Sequence, residues 1–242
     1  MNNVFDEVAS QTLATGRGEV SAAELERLLA SRYSCRAYQP DALPRTVIER
    51  ILRTAQRTAS WCNTQPWHVL ITTGVGTQRF SAALLEQIAR EAHATDFNFP
   101  REYKGAYLAR RRECGGQLYE SLGIGRRDRE ARSEQALENF RFFGAPHVAI
   151  VAAPEALGVY GAVDCGAYVN NFMLAAHSLG VGSVAQAALA LQSRFIREYF
   201  DMGDDWRIVC GISFGYPRST HPVNQFRTSR AAVGDVVRWV HD

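Results

Sequence analysis

Apolar residues recur along this chain at two periods, and each period names its element. Leu25, Leu28 and Leu29 lie at helical spacing behind Ser21-Ala22-Ala23-Glu24. That opening is a capping box: the serine side chain accepts the N–H three residues on, and the glutamate reaches back. Pro44 suits the first turn of a second helix, with Val47, Ile48, Ile51, Leu52 and Ala55 on its inner face. A third helix is predicted from about Thr77 to Ala94, carrying Phe80, Leu84, Leu85 and Ile88. A fourth, Asp164 to Leu179, carries Val169, Phe172, Met173 and Ala176 and stops at Gly180-Val181-Gly182. A fifth runs from Ser193 to Phe200. Three apolar runs predict strands: Trp67 to Thr73, His147 to Ala153 after the stop Gly144-Ala145-Pro146, and Trp206 to Phe214 before Gly215-Tyr216-Pro217.

Between the third helix and the second strand the pattern changes. Asp96 to Arg132 holds Phe97, Phe99, Tyr103, Tyr107 and Tyr119 among many arginines, Arg110, Arg111 and Arg112 included. This reads as a helical excursion, a candidate lid, closed by Asn139 to Phe143. The expected organisation is an N-terminal arm over 1–20, one domain over 21–217 with its insert at 96–143, and a C-terminal extension over 218–242. The extension is too polar to form its own core and needs a surface to lie on. Helices and strands alternate too irregularly for a long doubly wound sheet, so the class is α+β.

Composition narrows the function classes. Of 242 residues 46% are apolar and 21% charged, the balance of a globular chain. A formal net charge of +2 does not fit a chain-wide nucleic-acid binder. The five cysteines, at 35, 62, 114, 165 and 210, contain no Cys-x-x-Cys pair, which argues against a disulfide scaffold or zinc site and for a reducing compartment. Neither a signal pattern nor a run of 18 apolar residues occurs, so the expected location is the cytoplasm, with no membrane span.

Three segments carry candidate chemistry. Ser60, Asn63 and Gln65 sit in a short loop that Pro66 stiffens and Trp67 leads into a strand, an arrangement able to aim polar groups at a flat ring. In an extended segment Arg32, Ser34 and Arg36 share one face. Two guanidinium groups and a hydroxyl suit a phosphate, yet the same pattern fits an exposed basic edge. Arg227-Thr228-Ser229-Arg230 repeats the idea and fits a solvated turn equally well. Gly180-Val181-Gly182-Ser183-Val184-Ala185 matches a dinucleotide fingerprint in letters only, because a helix and not a strand precedes it. His68, His147 and His177 read as structural, and Asp164 as a residue serving the positive end of its helix.

Taken in order, Arg-x-Ser-x-Arg at 32–36, Ser-x-x-Asn-x-Gln-Pro-Trp at 60–67, Leu-Gly-Val-Gly-Ser at 179–183, Gly-Ile-Ser-Phe-Gly-Tyr-Pro at 211–217 and Arg227-x-x-Arg230 resemble the FMN-dependent nitroreductase family, over about residues 25–232. Arg111-Arg112-x-Cys114-Gly115, Leu118-Tyr119, Leu122-Gly123-Ile124 and Phe143-Gly144-Ala145-Pro146 resemble a long-insert branch acting on nitroaromatics such as nitrobenzoates.

The resemblance implies a sandwich with a central, mostly antiparallel sheet flanked by helices, and a homodimer whose C-terminal arm is exchanged between protomers. It implies FMN as cofactor and NAD(P)H as co-substrate. Arg32, Tyr33, Ser34, Arg36, Arg227 and Arg230 match the phosphate-holding segments, and Ser60, Trp61, Asn63 and Gln65 match the loop that meets the flavin. Ala185, Gln186, Ala187 and Ala188 match the backbone running along the ring, where many members carry Pro in place of Ala185. The chemistry is expected at flavin N5, with no catalytic side chain and no metal. Trp61, Phe97, Tyr103, Tyr107 and Arg111 are the expected substrate-facing residues, and many members have a small residue in place of Trp61. The same scaffold also serves dehalogenases, flavin reductases and enone reductases, and a flavin-binding protein without turnover is the alternative from another class.

Overall fold

The computed structural model describes residues 21–241, so the expected arm at 1–20 lies outside the described residues. The described residues fall into two units, 21–32 and 33–241.

In the first unit, α1 (Ala22–Ser31) opens on the expected capping box: Ser21 accepts the Glu24 N–H and the Glu24 carboxylate accepts the Ser21 N–H. No residue of this helix is buried, and Leu25 and Leu29 of its apolar stripe are exposed.

The second unit is built on four strands: β1 (His68–Thr73), β2 (His147–Pro154), β3 (Gly182–Gln186) and β4 (Trp206–Gly215). Their order is β1-β2-β4-β3, and every pairing is antiparallel. β2 is central, and its first seven residues are all buried. Alternation divides them between two layers. Ala149, Val151 and Ala153 join Ile48, Ile51 and Ala55 of α2 (Arg45–Ala55) and Tyr168, Phe172 and Ala176 of α6 (Gly158–Ser178). Val148, Ile150 and Ala152 face Phe80 and Leu84 of α3 (Val75–Arg90) and Ile196 of α7 (Ser193–Tyr199). Each large side chain so buried contributes about 1.5–3 kcal/mol, which is why a strand apolar on both faces takes the middle of the sheet.

Four expectations change. Pro44 is the N-cap of α2 and not within its first turn. α3 ends at Arg90, short of Ala94. β3 is a strand that the apolar pattern does not predict: Gly-Ser-Val-Ala-Gln has no alternation, and its partner β4 decides its conformation. The largest change concerns α6, which begins at Gly158, six residues before Asp164. Gly158 adopts φ 54° behind the turn Glu155–Leu157, and that turn starts the helix. Asp164 is therefore the seventh helical residue and does not serve the helix's positive end.

The far end of α6 stops as expected. Gly180 adopts φ 73°, its N–H reaches the His177 carbonyl, and the Val181 N–H reaches Ala176. This left-handed cap returns the chain into β3. The insert forms α4 (Gly105–Ser121) and α5 (Arg129–Leu137), neither with a buried residue. It is anchored where it begins: the Asp96 carboxylate pairs with Arg197 on α7 and accepts the Ile208 N–H at 2.8 Å. Among the described residues no helix is long and apolar enough to cross a membrane, and no three His, Cys, Asp or Glu are grouped to hold a metal ion. All five cysteines are free.

Candidate functional site

At one end of the sheet, Tyr33 to Arg36 runs beside the start of β3. Ser34 bridges Ser183 in parallel, and the Cys35 N–H donates to the Ser183 carbonyl at 3.0 Å. The C-terminal segment closes over it. Asn224, buried in the turn Pro222–Asn224, accepts the Arg36 N–H at 2.8 Å and donates to the Ala37 carbonyl at 2.8 Å. The Arg227 guanidinium lies 4.0 Å above the Tyr33 ring, a cation–π contact. Arg230 donates to Thr228 and to the Ser229 carbonyl. It lines a cavity of about 350 Å³ with Arg110, Glu113, Cys114, Gln117 and Asp235.

The electrostatics of this end are lopsided. Arg36 is half-buried, and its guanidinium makes one long bond, 3.5 Å, to the Ser34 carbonyl. Burial lowers its pKa from the ordinary arginine value, with no carboxylate to offset that cost. Arg36, Arg227 and Arg230 all lack an ion-pair partner among the described residues. A half-buried guanidinium and two exposed ones, none of them in an ion pair, suit an anion, most of all a phosphate that accepts bidentate bonds. Arg32 closes α1, donating its N–H to Leu28, and ends the first unit.

β3 leads away from this end as an edge strand. Beyond the Ser34 bridge, no described strand pairs with its outer side. Ala185 and Ala187 are exposed and Ala188 is half-buried. Gln186 turns inward: its side chain donates to the Asn139 carbonyl at 2.7 Å and accepts the Ser213 hydroxyl, so only its backbone is free to face a ligand. A strip of alanines leaves the main chain open to the close approach of a flat ring. Phosphate-suited cations at one end and this strip alongside together fit a flavin mononucleotide.

The Ser60–Gln65 loop is at the other end of the sheet. It enters β1 at His68, opposite Ala152 late in β2. Ser34 pairs with Ser183, Ser183 with Phe214, Phe214 with His147, and His147 with Thr73, the far end of β1. The long helix gives a second measure. The Trp61 N–H meets Asp164, while the Tyr33 ring meets His177 at 6.5 Å, thirteen residues further along α6. At about 1.5 Å per residue that is about 20 Å. One protomer therefore does not bring its loop onto its own phosphate-suited end.

The loop itself is tightly held. Cys62, Asn63 and Gln65 adopt φ 51°, 55° and 49°, a left-handed region that side chains avoid. Ser60 accepts the Gln65 N–H at 2.9 Å, and Gln56 joins the Gln65 side chain (3.1 Å) to the Trp67 indole (3.0 Å). Ser60 and Gln65, expected to face a ligand, thus spend their polar groups inside the loop. The Asn63 side-chain amide remains without a partner among the described residues. Trp61 is 60% exposed and packs edge-on against Tyr160 at 4.7 Å. Both line a cavity of about 310 Å³ with Asp164, Leu157 and Thr64.

The other expected substrate residues are not gathered there. Tyr103 lies under Arg111 at 5.2 Å, Tyr107 is exposed on α4, and neither these nor Phe97 line the Trp61 cavity. Tyr119 is held under Arg132 at 4.1 Å, an ordinary packing role. The histidines are structural or peripheral: His147 accepts the Leu43 N–H at 2.8 Å, and His68 packs on Trp206. Sequence reasoning misses Gln56 and misplaces Asp164. Nothing in their spacing signals either role, since each bond closes a loop that only the fold creates.

The family model described as the nitroreductase family matches residues 29–216 of this chain. The chain belongs to the nitroreductase family. It is 35% identical over 230 residues to the nitroreductase NfnB of Mycolicibacterium smegmatis, covering 94% of this chain and 97% of that protein. It is 31% identical over 209 residues to a 4-nitrobenzoate reductase of Pseudomonas putida, covering 86% and 91%. The fold is that of nitroreductases: the crystal structure of the FMN-dependent nitroreductase NfnB from Mycobacterium smegmatis in complex with NADPH superposes with a TM-score of 0.86 at 33% identity, over 91% of this chain and 99% of that one.

Proposed function

We propose that this nitroreductase-family chain is a homodimeric FMN enzyme that passes reducing equivalents from NAD(P)H to nitroaromatic compounds. The observation that carries the dimer is the separation of the two walls by about 20 Å on one protomer. Each wall is incomplete alone. The phosphate-suited end with its alanine strip offers no side-chain amide toward a ring, and the loop offers Asn63 but contains no arginine or lysine. A two-fold dimer solves this by setting the loop of one copy against β3 of the other. The exposed Val233, Val236, Trp239 and Val240 of the C-terminal extension supply an apolar surface for the second copy.

Bound FMN supplies the hydride acceptance and electron delivery that no side chain offers. The chain's own residues position and select. Ser34, Arg36, Arg227 and Arg230 hold the phosphate, with Tyr33 setting the Arg227 guanidinium. The backbone of Ala185–Ala188 lies along the ring, and the partner copy's Asn63 contacts its polar edge. Trp61 narrows the substrate space. Protons for a nitro group under reduction come from solvent, so no side chain is assigned as acid or base.

The test is the visible spectrum of the full chain supplied with FMN. Retained flavin absorbance, bleached by NADPH without oxygen and restored by nitrobenzene or 4-nitrobenzoate, is the expected result. A protein that retains no flavin, or whose bound flavin NADPH and NADH leave oxidised, refutes the function.

A further inference from the structure

Asp164 is the only aspartate, glutamate, lysine or arginine in α6. The helix itself gives no reason for it. Aspartate is a poor helix former, and at the seventh position the favourable field of the helix N-terminus has faded. A residue at odds with its own element points to a role elsewhere.

That role lies across the gap to the loop. Both carboxylate oxygens accept the Trp61 N–H, at 3.3 and 3.2 Å. One turn earlier on the same face, Tyr160 packs against the Trp61 indole at 4.7 Å. α6 therefore grips Trp61 twice, at its amide and at its ring. Immediately after this grip the chain takes three left-handed residues, Cys62, Asn63 and Gln65, around a right-handed Thr64. Such a backbone persists only where its surroundings over-determine it. Ser60 and Gln56 hold its far side through Gln65, and Asp164 holds its near side. The product of this bracing is the Asn63 side-chain amide, presented without an internal partner.

We propose that Asp164 is a positioning residue: its carboxylate fixes the Trp61 amide, and so sets how Asn63 and the Trp61 indole are presented to the ligand. This rests on the reading of the loop as one wall of the flavin site. Asp164 acts through the loop.

The test uses the full-length protein, wild type, Asp164→Ala and Asp164→Asn, with two readouts. The first, amide hydrogen exchange without FMN, is independent of the flavin reading. In Asp164→Ala the Trp61 and Gln65 amides should exchange about tenfold faster while β2 amides are unchanged. Asp164→Asn, whose side-chain oxygen accepts the same N–H, should restore most of the protection. The second readout is the FMN-loaded enzyme. Asp164→Ala should shift the flavin visible band and raise KM for a neutral nitroarene about tenfold with kcat within about twofold, and Asp164→Asn should reverse both. Unchanged exchange in Asp164→Ala overturns the brace. Faster exchange with an unchanged flavin band and KM overturns the loop as a flavin wall, and the positioning role with it. Altered band and KM that asparagine does not rescue overturns the hydrogen bond as the cause.

Discussion

The two ends of the sheet handle polar groups in opposite ways. At the Tyr33–Arg36 end, Arg36, Arg227 and Arg230 make no ion pair among the described residues. At the Ser60–Gln65 end, nearly every polar group is engaged in holding an unfavourable backbone. On the proposed reading, the first end would take a ligand's charge on cations that lack ion-pair partners, and the second would gain shape by satisfying almost everything and exposing one side-chain amide. A binding site can therefore be prepared electrostatically or conformationally. The distinction matters because the two preparations respond differently to mutation.

The largest effect should come from the charged end. Arg36→Ala and Arg230→Ala should each weaken FMN binding by about 2 kcal/mol, roughly thirtyfold, because each removes a charge-assisted contact. Equilibrium titration with FMN, read by flavin fluorescence, checks this, and unchanged affinity would remove the electrostatic half of the contrast. Co-refolding Arg36→Ala with Asn63→Ala sharpens it further. If the ends meet only across a dimer, mixed dimers regain one intact site, and a one-to-one mixture should recover about a quarter of wild-type turnover. Recovery no better than the separate variants would place both ends on one flavin within one copy.

Next in size is the contact that joins the charged end to β3. A Cβ on Gly182 would meet the Cys35 Sγ at 2.7 Å and Pro217 at 3.1 Å. Gly182→Ala should cost about 1–3 kcal/mol in urea unfolding, as overpacking does. At the loop, Ser60→Ala should lower stability by about 1 kcal/mol by freeing the Gln65 amide. Asn63→Asp, which tolerates the same φ 55°, should leave stability within about 0.5 kcal/mol while still impairing the flavin site. Equal stability losses in the two variants would break the division between bracing and presenting groups.

The smallest effect is titrational. Burial lowers the His147 pKa below its ordinary 6.5, so the folded protein keeps this ring neutral to lower pH than the unfolded chain does. The unfolded state binds the proton first, so stability should fall as pH drops below about 6.5 and continue falling until the folded-state value is passed. His147→Gln, able to accept the Leu43 N–H, should flatten that slope in thermal melts between pH 7 and 5.

Thiol chemistry sorts the same regions. Burial pushes Cys165 and Cys210 up to about 12, and both belong to the core, while Cys62 is exposed in the loop.

Much of the fold is legible in the amino-acid sequence. His147 to Ala153 is apolar at every position but the first, which only a strand covered on both faces permits. The capping box at Ser21 and the glycine stop at Gly180 are short-range devices whose partners lie within a few residues, so they read directly from the chain. β3 is not legible, because a short strand of small residues owes its conformation to β4. The start of α6 is misread from residue types alone: Asp164 looks like a helix-capping acid, whereas the Glu155–Leu157 turn begins the helix earlier.

For the site, the sequence by itself determined the ingredients: the arginine pairs, the Ser60–Trp67 loop and the alanine strip, in an order that matches one family. Local chemistry is written in residue types and spacing, and both survive without the fold. Tertiary structure alone decided how the ingredients are used. It set the loop and the phosphate-suited end at opposite ends of one sheet, turned Ser60, Gln65 and Gln186 inward, and gave Asp164 a partner more than a hundred residues away. Those outcomes depend on strand order and helix packing, which join residues distant in the chain and leave no periodic trace in it.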